Sequence, residues 1–199
     1  MWKQRHRSRR SISRLGGERR SACANRLRAL EAPVIEVPGS AVEAVNNILA
    51  EVNRFGLHLA FLDPYNLESL DFAIVQALST LRRSDMVMHV SAMDLQRNVG
   101  ANIASPAWDA FAPGWRTQVD LTKPRAQVRR QLVLYWHELV AGLGVWPAKN
   151  MRLIVGERRQ RLYWLLLAAR HDLAHKLWKV ASNPQGQKQL PLIGGGPRK

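Results

Sequence analysis

The feature that most constrains the fold is Leu57 to Leu62 (Leu-His-Leu-Ala-Phe-Leu), an almost unbroken apolar run that stops at Asp63-Pro64-Tyr65-Asn66. The run is too short for an ordinary helix, and its lack of alternation is the pattern of a strand covered on both faces, as in a parallel sheet. Asp85 to Val90 reads as a second buried strand, and Pro33 to Val37 as a shorter one. Between the strands the periodicity turns helical. Ser40-Ala41-Val42-Glu43 has the form of a capping box, and the helix it opens sets Val42, Val45, Leu49 and Val52 on one face until Gly56. Leu67 to Leu81 repeats the pattern through Leu70, Ile74, Leu78 and Leu81. Strand, helix, strand, helix, strand predicts an α/β domain built on an open, doubly wound, mostly parallel sheet.

The second half departs from that alternation. Residues 99–122, with Pro106, Pro113 and Gly114, read as a long irregular loop of the kind that serves as a lid or binding segment. A helix is expected over Arg125 to Leu143. Met151 to Val155 and Leu162 to Ala168 read as strands joined by only Gly156-Glu157-Arg158-Arg159-Gln160, a connection short enough to require an antiparallel hairpin. A last helix runs from Asp172 to Val180.

Charge marks off the ends. Residues 1–28 hold ten of the Lys/Arg residues against Glu18 alone, within a chain of net charge +15. Residues 1–24 therefore read as a basic disordered arm, residues 25–182 as the domain, and 183–199 as a disordered tail. Such an arm is suited to contact nucleic-acid phosphates without reading sequence. No apolar run is long enough to span a bilayer, which predicts no membrane partner. Cys23 is the only cysteine, so neither a disulfide framework nor a cysteine metal site forms within one chain, and a cytoplasmic setting is expected.

In open α/β sheets ligands bind beyond the carboxyl ends of the strands, which makes Asp63-Pro64-Tyr65-Asn66 the first candidate site. Asp63 can accept from an amine or hydroxyl, Pro64 fixes the turn, Tyr65 offers a stacking face, and Asn66 both donates and accepts. The competing reading is turn chemistry, with Asn66 capping the next helix. Asp94, Arg97 and Asn98 follow the next strand end and fall in the same cleft, or else simply open a helix. His171 and His175 share a helical face at a spacing that suits a metal, but no carboxylate completes the set, and capping is the better reading. No metal is predicted.

Three blocks in order carry a resemblance. They are Phe61-Leu62-Asp63-Pro64-Tyr65-Asn66-Leu67-Glu68, then Ser91 with Asp94-Leu95-Gln96-Arg97-Asn98, and then Tyr163-Trp164-Leu165-Leu166-Leu167-Ala168-Ala169-Arg170-His171 closing on Leu177-Trp178. Together they resemble the three-Cys-motif partner (TcmP) family over about Asn25 to Ala181. The resemblance implies an incomplete Rossmann-like, methyltransferase-like domain, with Pro33–Val37 matching the third strand of such a sheet and the strand before Asp63 the fourth. It implies S-adenosylmethionine as cofactor and a separate three-cysteine, radical-SAM-like protein as partner. By the same resemblance Asp63, Pro64, Tyr65 and Asn66 are catalytic, Asp94, Arg97 and Asn98 bind substrate, and Gly39, Ser40 and Ala41 form the remnant of the cofactor turn. The family's opening strand and Gly-rich turn have no counterpart, since Gly16-Gly17 sits among arginines. The expectation is a domain truncated in its cofactor half, or one that a partner completes; a non-catalytic interaction subunit and a nucleic-acid-binding module are the alternatives.

Overall fold

The computed structural model describes residues 9–183, with side chains from Gly17 onward. The chain divides into two compact units, residues 1–50 and 51–199, inside the stretch expected to be a single domain.

In the first unit, helix α1 (Arg9–Arg28) occupies most of the segment expected to be a disordered arm. Helix α2 (Ala41–Glu51) follows the predicted capping box. The amide of Ser40 donates to Glu43 Oε2 at 2.9 Å, and the amide of Glu43 donates to Ser40 Oγ at 3.3 Å. The strand expected over Pro33 to Val37 is absent. Its residues find no ladder partner, and Glu36 is held instead by α1, through Arg28 at 2.9 Å and the Ser21 hydroxyl at 3.2 Å.

The second unit is an α/β assembly on a five-stranded sheet. Strand β1 (His58–Leu62) pairs in parallel with β2 (Ser84–Ser91), and helix α3 (Phe72–Ser79) connects them. The helix predicted over 67–81 is shorter at its start because Asp71 caps it, accepting from the Ala73 amide at 2.8 Å. Helices α4 (Ala92–Ile103), α5 (Trp115–Gln118) and α6 (Arg125–Gly142) come next. The chain then forms β3 (Trp146–Pro147), β4 (Arg152–Val155), β5 (Arg161–Ala169) and helix α7 (Asp172–Ala181). The predicted hairpin is present: β4 pairs antiparallel with β5. Strand β5 lies between β2 on one side and β3 with β4 on the other, giving the order β1-β2-β5-β3 with β4 also on β5. Only the β1–β2 pair is parallel, so the sheet is mixed rather than mostly parallel.

Two packing expectations are corrected. Strand β1 is not covered on both faces: it stands at the sheet edge, and Leu59 and Phe61 are 72% and 61% exposed. An unbroken apolar run reports hydrophobicity and not coverage. Residues 99–122 are not an open lid. Their first residues complete α4, and Trp108, Phe111 and Trp115 are fully buried. Trp108 meets Trp115 edge-on at 5.9 Å between ring centroids, while Phe111 stacks on Trp136 of α6 at 5.0 Å. Gly114 makes the turn into α5 with φ +79, and a Cβ there would come within 3.0 Å of the Tyr135 hydroxyl.

Arg170, just past β5, gathers the ends of two helices. Its guanidinium donates to the carbonyls of Ser79, the last residue of α3, and Leu81 just beyond it, and to those of Leu143 and Gly144 after α6. Carbonyls at helix C-termini lack intrahelical donors and carry partial negative charge, so one cation satisfies both ends. Among the described residues no helix is long and apolar enough to cross a membrane.

Candidate functional site

The carboxyl ends of β1 and β2 lie side by side, and parity decides what meets there. The parallel register pairs Phe61 with Val87 and Leu62 with Met88, so the next residues, Asp63 and His89, come level. Alternation of strand side chains puts both on the face that carries Leu59, Phe61 and Val87. Asp63 Oδ1 lies 2.6 Å from His89 Nδ1. An ionised carboxylate only accepts, so with Asp63 ionised the bond runs from Nδ1–H to Oδ1, the tautomer that turns Nε2 away from the carboxylate. Nε2 has no hydrogen-bond partner among the described residues. The β2–β5 register brings Tyr163 opposite Ser91, and its ring packs against the His89 ring at 3.9 Å between centroids. The His89 side chain is thereby reduced to 16% exposure, while Asp63 retains 64%.

The two expected clusters are joined through Asp94. Its Oδ2 accepts from the Leu67 amide at 2.9 Å, and its Oδ1 accepts from the Asn98 side-chain amide. The Asp94 amide in turn donates to Ser91 Oγ, the N-cap of α4. The carboxylate thus fastens the turn after β1 to the first turn of α4, and it acts as a positioning group. Asn98 steadies Asp94. Arg97 is exposed and makes no ion pair among the described residues.

Within 63–66 the roles separate. Asn66 does not cap α3. Its Oδ1 accepts from the amide and the hydroxyl of Ser69, shaping the turn ahead of the Asp71 cap. Pro64 supplies no amide donor to that turn. Tyr65 is 94% exposed and presents its ring to solvent. His89 is not singled out by the sequence, and Tyr163 enters there only within the third block of the resemblance and not as a site residue. The signal was present in parity: His89 stands two residues before the end of its strand, level with Asp63 once the two strands are aligned.

Gly39, Ser40 and Ala41 lie in the first unit. Gly39 takes φ +101, and Ser40 is engaged with Glu43 in both directions of the capping box. These bonds from Ser40, the backbone one foremost, hold the Glu43 carboxyl below its usual range. The turn therefore serves α2, no strand leads into it, and these residues do not fit a nucleotide cofactor. His171 is the N-cap of α7, accepting from the Leu173 amide through Nδ1, and His175 Nε2 lies 3.2 Å from the Ala169 carbonyl. Both rings are engaged with backbone groups.

No family model, curated protein or solved structure matches this chain.

Proposed function

We propose that this chain is a three-Cys-motif partner (TcmP)-like protein whose second unit supplies the acceptor side of a methyltransferase-like cleft, and that it works in complex with a three-cysteine, radical-SAM-like protein. The observation that carries the reading is the Asp63–His89 contact at the paired carboxyl ends of β1 and β2. A carboxylate that orients an imidazole and leaves Nε2 basic is suited to take a proton from an amine or hydroxyl acceptor. Tyr65 offers that acceptor a flat surface, and Asp94 holds the turn in place. The sheet order supports the same reading, because a reversed strand set beside a parallel pair is what a methyltransferase-like domain has at its C-terminal side. The cofactor S-adenosylmethionine is not assigned to the Gly39-Ser40-Ala41 turn, in which Ser40 is engaged in capping α2.

The exposed edge of β1 fits an assembly. Leu59 and Phe61 stand more than half exposed on a strand paired along one side only, with Leu57 exposed just before it, an arrangement that monomeric proteins usually cover or charge. Co-expression with the three-cysteine protein tests the proposal. The expected result is co-elution as a complex, in which Asp63→Asn and His89→Ala each lower methyl incorporation into the acceptor by about 10²-fold or more. A chain that elutes alone from that co-expression overturns the partnership. Undiminished transfer by His89→Ala overturns the role of the pair.

A further inference from the structure

A cavity lies on the face of the sheet opposite the Asp63–His89 pair. Tyr163 and Trp164 are neighbours on β5 and point to opposite faces, so the Trp164 side is not the side of His89. There, between the first turns of α4 and α6 and the strands β4 and β5, is a cavity of about 360 Å³. This is within the roughly 300–1,000 Å³ range of small-molecule sites. Its apolar wall is formed by Leu95, Val133, Met151 and Leu153 together with Trp164. Leu95, Val133 and Met151 are buried, so the wall belongs to the core and not to a surface dimple.

Its polar groups have one sign. Arg129 and Arg130 from α6 and Arg161 from the start of β5 line it, and Gln96 is neutral. No carboxylate lines it. None of the three arginines makes a hydrogen bond or ion pair among the described residues. This contrasts with Arg116 and Arg170, which are fully engaged by carbonyls and Asp109. Unpaired guanidinium groups beside an apolar wall recognise one ligand chemistry, in which a planar anion meets the forked donors and an apolar body fills the space behind.

We propose that this cavity binds a small organic carboxylate with an aryl or acyl body, its head group on Arg129, Arg130 and Arg161 and its body against Trp164 and Leu153. Inorganic anions satisfy only the arginines, and neutral aromatics satisfy only the wall. The site is independent of the Asp63–His89 reading, because no residue is shared.

The test is calorimetric titration of the full chain with 2-naphthoate, 2-naphthamide and inorganic phosphate. Saturable binding of naphthoate is expected, about ten-fold or more tighter than the other two. The double variant Arg129→Ala/Arg130→Ala is expected to weaken naphthoate by a similar factor. Ala126→Trp, which fills the mouth from an exposed helix position, is expected to abolish it. Both variants should keep the circular dichroism spectrum of the parent, since none of these positions is buried. Absence of saturable naphthoate binding, equal binding of naphthamide or of phosphate, or unchanged binding in the folded variants would each overturn the site.

Discussion

The two faces of the sheet are built from alternate residues of the same strands, yet they are put to different uses. On one face Met86, Met88 and Val90 of β2 and Leu166 of β5 have no exposure at all. On the other, Leu59 and Phe61 of β1 stand open, and the half-buried His89 of β2 and Tyr163 of β5 continue the same face. Along β2 the first face is sealed core, and it opens toward β4 at the cavity beside Trp164. The open face carries polar groups that a fully packed layer could not hold without leaving them unpaired. Neighbouring residues should therefore differ sharply in what their substitution does.

The largest effect is expected on the sealed face. Met88→Ala removes a fully buried side chain and leaves a cavity, with an expected loss of about 2–5 kcal/mol in chemical denaturation. A loss below that range would mean that the layer around Met88 collapses to fill the space. Arg170→Met comes next. It leaves four carbonyls at the ends of α3 and α6 without their donor, and about 1.5–3 kcal/mol of stability should go. Arg170→Lys should recover only part of this, because a single ammonium cannot reach all four.

Asp94→Ala probes the link between the turn after β1 and the first turn of α4. The Leu67 amide loses its acceptor while Leu67 itself is fully buried, which should cost about 1–2 kcal/mol. Asp94→Asn keeps an oxygen for that amide and should cost less. Proteolysis in the 63–71 turn should accelerate in Asp94→Ala and not in Asp94→Asn. Equal rates would show that the turn holds itself together through Asn66 and Ser69.

How much of this was legible from residues follows the same division. Elements with a clear period or a short connection were legible: β2, α6, the β4–β5 hairpin and α7 lie where pattern and spacing place them. Coverage was not. The apolar run of β1 and the proline-rich stretch at 99–122 suggest a buried strand and an open loop, and the structure holds an exposed edge and a tryptophan-lined core. Hydrophobicity tells what a residue tolerates, and only the third dimension tells what lies against it. Asp63 and Asp94 were legible as strand-end groups. The pairing of Asp63 with His89 needed the register, and Tyr163 needed the reversed strand between. The Pro33–Val37 run had strand-forming residues but no partner in the sheet.

Burial on α6 also leaves a pH signature. Desolvation lowers the pKa of His137 below the ordinary histidine value, outweighing the backbone bond to Ala148 and the charge of Glu138, which both raise it. Below about pH 6.5 the unfolded chain then binds this proton more readily than the folded one. Stability from His137 is therefore complete above that pH and declines as pH falls through it. His137→Gln should flatten this part of the stability curve. An unchanged slope in that variant would assign the acid sensitivity to other groups.

The smallest effect on folding is expected at Phe61, and it separates the faces most cleanly. Phe61 pairs with Val87 in register, one residue from the Leu62–Met88 pair. By hydrophobicity its loss should matter at least as much as that of Met88. By coverage it should hardly matter, since Phe61 keeps 61% of its surface in water. Phe61→Ser is therefore expected to change the unfolding free energy by no more than about 0.5 kcal/mol, as exposed positions usually do. Association is where the substitution should act. An apolar edge strand favours self-pairing, and a polar residue there should raise the concentration at which the chain aggregates. Should Phe61→Ser destabilise the monomer as strongly as Met88→Ala, the open face would be a core layer in solution, covered by something that keeps Phe61 from water.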